Sequence, residues 1–249
     1  MGDKIAAKKT MEKAKVPVIP GYHGVKQDND SLFKEGKKIG FPLLVKAAAG
    51  GGGKGMRIVH SEKNLLESIQ AAKRESKSSF GDDTVFLEKY LDKPRHIEFQ
   101  ILADENGNTI HLFERECSIQ RRHQKIIEES PSPIMTKELR EKIGKAAVAA
   151  AEAVGYENAG TVEFMVDKDL NYYFMEMNTR LQVEHPITEL TTGIDLVKWQ
   201  LKIASGEKLT LKQKDLSQRG HAIECRIYAE DAENGFLPSV GLLKKVEEP

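Results

Sequence analysis

Between Glu176 and Glu184 a polar side chain occupies every second position: Glu176, Asn178, Arg180, Gln182 and Glu184, with Met177, Leu181 and Val183 among the residues between them. Residues two apart share one face of an extended chain, so the spacing predicts a strand with one polar face. Two carboxylates, an amide, an arginine and a glutamine are costly to bury on one face without partners. Such a face is tolerated at the solvated edge of a sheet, or as the lining of a site where cations, anions and a transferable proton meet. Either way the stretch demands a sheet with one face open to water or to ligand.

The preceding residues supply a partner strand. Segments 160–166 and 172–178 read as a hairpin, and with Asp169-Leu170 as a two-residue turn Lys168 faces Asn171 and Glu163 falls opposite Glu176. Directly opposed side chains lie about 5 Å apart at Cβ, where like charges repel. A cation between the two carboxylates reconciles them. Hard oxygen ligands, with Asn178 on the same face, favour magnesium carried by a nucleotide's phosphates over zinc. The alternative is a solvent-facing glutamate pair, and a one-residue slip in register would separate the two.

Residues 50–55, Gly-Gly-Gly-Gly-Lys-Gly, lie between strand-like segments 41–46 and 56–60. Consecutive glycine N–H groups can approach an anion closely, and Lys54 and Lys46 add charge. Gly50, Gly52 and Gly55 also fit a dinucleotide G-x-G-x-x-G, but strand-like Met56-Arg-Ile-Val follows where a helix is required, and no Gly-Lys-Ser/Thr closes a P-loop. A glycine loop between strands suggests a flap that closes over a nucleotide; a flexible surface loop is the alternative. Residues 118–125 read as a solvated basic loop dense in anion-binding groups. Residues 221–230 alternate polar and apolar and place Arg226 on a strand face.

The remaining pattern is mixed. A helix is expected from Asp3, its N-cap, to about residue 14, with Ile5, Met11 and Ala14 inward. Ser61 caps a second, burying Leu65, Leu66, Ile69 and Ala72; residues 136–154 form a third, rich in alanine. Residues 84–89 read as a strand, as do 96–103 and 109–115, the last two joined through Glu105-Asn-Gly-Asn108. The expected class is α+β: a linker helix at 1–16, a small α/β unit at 17–92 and a larger, mainly antiparallel unit at 93–249. Both ends read as cut, the last residues, 241–249, as a strand that closes nothing, so a fragment of a larger enzyme is expected. Lys+Arg and Asp+Glu both number 38, which gives no reason to expect nucleic acid or an anionic membrane as partner. No apolar run reaches membrane-spanning length and no signal-peptide core opens the chain, so a cytoplasmic location is expected. Cys117 and Cys225 read as free thiols, a single disulfide being the alternative. Cys117, beside the anion-rich stretch, reads as a buried small residue more readily than as a reactive thiol.

Together, Met1-Gly-Asp-Lys4, Lys46 with the glycine loop, Glu88-Lys-Tyr-Leu91, Pro94-Arg-His96, Arg115 through Lys125, Glu176 through Pro186 and Gly220-His-Ala-Ile-Glu-Cys-Arg226 resemble biotin carboxylase, the ATP-grasp component of biotin-dependent carboxylases, in the same order along the chain. The resemblance implies an ATP-grasp fold, a small α/β lid beside a larger antiparallel sheet flanked by helices. It implies ATP, Mg2+ (or Mn2+), bicarbonate as substrate and biotin as carboxyl acceptor. Lys4 and Lys46 would meet the phosphates, Gly51, Gly52 and Gly53 cover them, and Met56 pack on adenine. Glu88, Lys89 and Leu91 resemble the hinge at the adenine edge, with His96, Gln120 and His123 near ribose and phosphates. Glu163, Glu176 and Asn178 resemble the metal ligands; Lys125, Arg180, Gln182 and the Val183 backbone the bicarbonate site; Glu184 the general base; Arg226 the group that stabilises charge on biotin's ureido oxygen. Implied partners are a biotin carboxyl carrier protein or domain, a carboxyltransferase component and a second copy in a homodimer. A mitochondrial matrix location would follow for a eukaryotic propionyl-CoA or pyruvate carboxylase. The final acceptor, whether acetyl-CoA for fatty acid biosynthesis, propionyl-CoA or pyruvate, is not legible. Two other readings remain: an ATP-grasp ligase of the carbamoyl-phosphate type, against which Gln182 through Pro186 argues, and a core that binds nucleotide without turnover.

Overall fold

The computed structural model describes residues 4–49 and 56–247. In chain order the helices are α1 (Lys4–Lys13), α2 (Asn29–Ile39), α3 (Leu65–Phe80), α4 (Lys137–Glu152), α5 (His185–Thr192) and α6 (Leu196–Ala204). The strands are β1 (Gly21–Tyr22), β2 (Leu43–Ala47), β3 (Met56–Val59), β4 (Val85–Lys89), β5 (Arg95–Ala103), β6 (Thr109–Arg121), β7 (Gln124–Ser130), β8 (Asn158–Val166), β9 (Tyr172–Asn178), β10 (Ala222–Cys225), β11 (Glu230–Asp231) and β12 (Leu237–Pro238). Two antiparallel sheets dominate, in the orders β1-β4-β2-β3 and β10-β7-β6-β5-β8-β9, and β11 pairs with β12. The class is α+β. None of the helices among the described residues is long and apolar enough to cross a membrane.

In the small sheet the strand period of two sorts residues by destination. Leu43 and Val45 of β2 face inward with Val85 and Leu87 of β4, against Leu32 of α2 and Leu65, Ile69 and Ala72 of α3. Leu44 and Lys46 point the other way, into a cleft. Leu66, expected on the inner face of α3, is 41% exposed. Ser61 is not the cap of that helix: a short 3-10 turn at Glu62–Asn64 intervenes, and the Ser61 side chain makes no capping bond. Helix α2 is an addition to the expected elements, although Asp28 caps it by accepting from the Ser31 N–H at 2.8 Å.

The large sheet is covered on one face by α1 and α4. Ile97, Phe99 and Ile101 of β5, with Val162, Phe164 and Phe174, pack on Met11 of α1 and Ile143, Ala147 and Ala150 of α4. Each fully buried Ile, Phe or Met side chain contributes about 1.5–3 kcal/mol in bookkeeping of area removed from water. Thr136 caps α4, accepting from the Leu139 N–H at 3.2 Å. The alternate residues of β5, His96, Glu98 and Gln100, are also buried, so this central strand has one apolar face and one polar face within the molecule.

Two turns differ from the sequence reading, with consequences for the site. The β8–β9 connection is wider than Asp169-Leu170. Asp167 N–H donates to Asn171 O at 2.9 Å, and the Asp167 carboxylate accepts from the N–H groups of Asp169 and Asn171. That shifts the register near the turn, pairing Phe164 with Phe174, and an irregularity then restores Glu163 opposite Glu176. Phe174 and Met177 face the core, while Met175 and Glu176 between them both line the cleft. A β-bulge at Met175 thus re-aims Glu176 onto the site face. Residues 118–125 are not a loop. They are the end of β6, a two-residue turn and the start of β7, with Arg121 opposite Gln124. Arg122 (φ 51°) and His123 (φ 63°) both take positive φ, as a type I′ hairpin turn requires.

Strand β9 ends at Asn178, so residues 179–184 do not continue the polar alternation as a strand. Arg226 follows β10 without lying in it. Residues 241–247, expected as a strand, are not one.

Candidate active site

The polar face of the large sheet and the outer face of the small one enclose a cleft of ≈690 Å3. The small sheet contributes Lys46, Met56, Glu88 and Lys89, with Leu91 just beyond β4 and Lys4 from α1. The large sheet contributes His96, Gln120, Lys125, Glu163, Glu176 and Asn178, and the β6–β7 turn His123. Arg180, Gln182, Val183 and Glu184 close one end together with Arg226. Gly51, Gly52 and Gly53 lie outside the described residues, as do Lys54 and Asp3. Every other residue singled out for the site from the sequence borders this one cleft.

Lys125, which lines the cleft, gathers three carboxylates. Its ammonium donates to Glu98 Oε2 at 2.5 Å, Glu184 Oε1 at 2.6 Å and Glu163 Oε1 at 3.0 Å. Burial alone would lower a lysine's pKa, but the carboxylates of Glu98 and Glu163, and then of Glu184, hold Lys125 above the ordinary lysine range. Glu163 Oε1 also accepts from Asn178 Nδ2 at 2.8 Å and Gln182 Nε2 at 3.0 Å, and its Oε2 lies 2.9 Å from His96 Nε2. Burial would raise the Glu163 carboxyl; His96 and Lys125 beside it hold it well below the usual carboxylate range instead. Glu176, directly across, makes no hydrogen bond or ion pair among the described residues. The second oxygen of Glu184 accepts from Arg226 Nη2 at 2.9 Å, and Arg226 Nε donates to Glu128 Oε1 at 2.6 Å. The exposed Arg180 donates to Leu181 O at 3.1 Å.

At the other end, the buried Glu88 carboxylate pairs with Lys46 at 2.7 Å and with Lys8. Burial would raise its pKa; the two lysines lower it. The Glu88 side chain therefore anchors Lys46 at this part of the cleft lining.

Sequence reading missed Lys8, Glu98 and Arg115. Glu98 had a signal, the polar alternation His96, Glu98, Gln100 inside an otherwise apolar strand. Cys117 is buried and Cys225 exposed, both free thiols, and burial pushes the Cys117 thiol well above its ordinary value, so it is not a reactive thiolate.

The depressed Glu163 carboxyl carries a pH dependence. An unfolded glutamate titrates at about 4.3; stability gained from a lowered folded pKa is full above that value and is lost as pH falls through the folded one. Resistance to urea is expected to fall from about pH 5 downward, and Glu163→Gln to flatten the fall. Equal slopes for the two proteins would contradict this electrostatic account.

Residues 3–212 match the family described as carbamoyl-phosphate synthase L chain, ATP binding domain. A pyruvate carboxylase subunit from Methanothermobacter thermautotrophicus is 58% identical over 249 residues, which are 100% of this chain and 50% of that protein. The alpha subunit of the mitochondrial methylcrotonoyl-CoA carboxylase of Rattus norvegicus is 55% identical across 100% of this chain and 35% of its own length. The chain thus spans half or less of the length of these relatives. Among solved structures, the biotin carboxylase domain dimer of Hydrogenobacter thermophilus 2-oxoglutarate carboxylase, in complex with MgADP, ADP and bicarbonate, matches with a TM-score of 0.93 at 50% identity, covering 100% of this chain and 55% of that one. The biotin carboxylase-β,γ-ATP complex from Campylobacter jejuni gives 0.89 at 50% identity, covering 96% of this chain and 53% of that one. With the resemblance read from its motifs borne out on both counts, the chain belongs to the family of the carbamoyl-phosphate synthase L chain ATP-binding domain, and its fold is the ATP-grasp fold of biotin carboxylase.

Proposed function

We propose that this cleft binds ATP with magnesium (or manganese) and bicarbonate, and carboxylates biotin through carboxyphosphate, the first half-reaction of a biotin-dependent carboxylase. One observation carries the reading: a single ammonium, Lys125, lies within hydrogen-bond reach of a proposed metal carboxylate, Glu163, and of a proposed base, Glu184. Metal, anion and proton acceptor would then meet at one point.

Bicarbonate is a stable anion and a poor nucleophile, so it must be held and deprotonated as one of its oxygens attacks the γ-phosphorus and ADP leaves. Lys125, Arg180, Gln182 and the Val183 N–H would hold it. Both oxygens of Glu184 are engaged, one by Lys125 and one by Arg226. An anion arriving between those cations competes for their N–H groups and frees Glu184 to take the proton. Lys46 and Lys4 would balance phosphate charge, under the glycine loop, with Met56 on the adenine. Glu88, Lys89 and Leu91 would line the adenine edge, with His96, Gln120 and His123 nearer ribose and phosphates. Glu163, Glu176 and Asn178 present hard oxygen donors, a set that suits magnesium or manganese, and Glu176 makes no competing bond among the described residues. The metal, when bound, neutralises charge on the phosphoryl oxygens. Carboxyphosphate would break down to carbon dioxide and phosphate, that phosphate would take the N1′ proton of biotin, and Arg226 would stabilise the charge on the ureido oxygen as N1′ attacks carbon dioxide.

Residues 17–92 would act as the lid and 93–249 as the catalytic unit, with 1–16 as a linker. A biotin carboxyl carrier, a carboxyltransferase component and a homodimer partner complete the proposed assembly, in the cytoplasm or the mitochondrial matrix. The named relatives favour pyruvate or an acyl-CoA such as methylcrotonoyl-CoA as final acceptor over acetyl-CoA and fatty acid biosynthesis. The test is transfer of label from bicarbonate to free biotin in the presence of MgATP. Acid-labile carboxybiotin is expected. Transfer of phosphate to carbamate instead would favour a carbamoyl-phosphate ligase, and nucleotide binding without turnover a non-catalytic core.

A further inference from the structure

The side chain of Arg115, in the middle of β6, is fully buried, and its charge is not consumed by any step above. A guanidinium has five N–H donors in one rigid plane, and here all five have acceptors. Nε donates to Glu98 Oε1 at 2.6 Å. Nη1 donates to Gln100 Oε1 at 2.7 Å and Thr188 Oγ1 at 3.0 Å. Nη2 donates to Thr161 Oγ1 at 3.1 Å and Gln182 Oε1 at 3.2 Å. One planar group therefore ties together β5, β8, the 179–184 turn and α5.

We propose that Arg115 is a positioning residue for the bicarbonate end of the cleft, acting through Gln182 and through the Glu98–Lys125 pair. The proposal rests on the reading of Gln182 and Lys125 as bicarbonate contacts. Because Arg115 takes the Gln182 oxygen, the Gln182 amide NH2 must face the cleft side, where it donates to Glu163 at 3.0 Å. Turning the amide over would set NH2 against the guanidinium, so its orientation is fixed. Glu98 is divided between Arg115 on Oε1 and Lys125 on Oε2. Without Arg115 the whole Glu98 carboxylate would fall to Lys125 and draw its ammonium away from Glu184. A lysine at 115 has three donors on a tetrahedral point charge and cannot serve five acceptors in one plane.

A purely architectural role would make Arg115 a buried ion-pair anchor whose loss harms everything equally. The two roles part in the kinetics of ADP release by the full-length protein. Arg115→Lys is expected to raise KM for bicarbonate about tenfold or more while KM for MgATP stays within about twofold. Thr188→Val, which keeps the side-chain shape and removes one acceptor on α5, is expected to raise KM for bicarbonate about threefold. Combined with Gln182→Ala, Arg115→Lys is expected to raise KM by less than the product of the separate effects, because both act on one contact. Equal rises in the two KM values, or fully multiplicative effects, would overturn the proposal. Should Arg115→Lys fail to fold, an unmoved bicarbonate KM in Thr188→Val would overturn it. A wild-type protein whose ADP release ignores bicarbonate would remove the functional reading and this proposal together; a bicarbonate-dependent wild type with unmoved variants removes this proposal alone.

Discussion

Lys125→Met is expected to lower kcat/KM for bicarbonate in ADP release by about a thousandfold, the range seen when a preorganised donor to a developing anion is removed. The cause is local. Nζ is shared by Glu98, Glu184 and Glu163 at 2.5, 2.6 and 3.0 Å, and those carboxylates are at most 3% exposed. Methionine fills the volume but leaves three buried acids facing one another. Breaking a buried pair of this kind costs about 3–5 kcal/mol, so a lowered urea midpoint should accompany the kinetic loss. Nucleotide affinity by calorimetry should change far less, since Lys46 and Glu88 sit at the other end of the cleft. Loss of ATP affinity in step with turnover would mean that Lys125 holds the fold and not the anion.

The second large effect separates two glutamates that look alike in the sequence. Glu176→Gln is expected to shift the magnesium activation curve to higher concentration and to reduce turnover by about a hundredfold or more. Stability should be unchanged, because Glu176 is half-buried and makes no bond among the described residues. Glu163→Gln should give a similar kinetic loss and also destabilise, since that carboxylate faces His96, Lys125, Asn178 and Gln182. Magnesium titrations and urea curves on both variants check this. Identical stability losses would remove the distinction drawn between them.

The opposition of Glu163 and Glu176 is legible in the sequence for an incomplete reason. A two-residue turn gives that pairing on paper; the real turn runs through Asp167 and Asn171, and the bulge at Met175 restores the register. Bulges leave little trace in a single sequence, because the inserted residue here is an ordinary apolar one. The alternating polar face extends as a strand only from Glu176 to Asn178. Gln182 and Glu184 still reach the cleft, carried by the turn that leads into α5 and fastened by Arg115 and Lys125. Nothing at Arg122-His123 resembles the Asn-Gly of a type I′ turn, so composition alone makes a tight hairpin look like a basic loop. Helix α2 is recoverable from Asp28 and the spacing of Leu32 and Gly36. Arg115 is not: a charged residue in a strand reads as a solvated face until the five acceptors around it are seen.

The central claim is that one cleft unites nucleotide, bicarbonate and a base. It is tested most directly by measuring ADP release from MgATP by the full-length protein as bicarbonate is titrated, starting from bicarbonate-free buffer. Negligible release is expected without bicarbonate, saturable release as it is added, and stimulation by free biotin. Release at the same rate across the whole titration would contradict the claim.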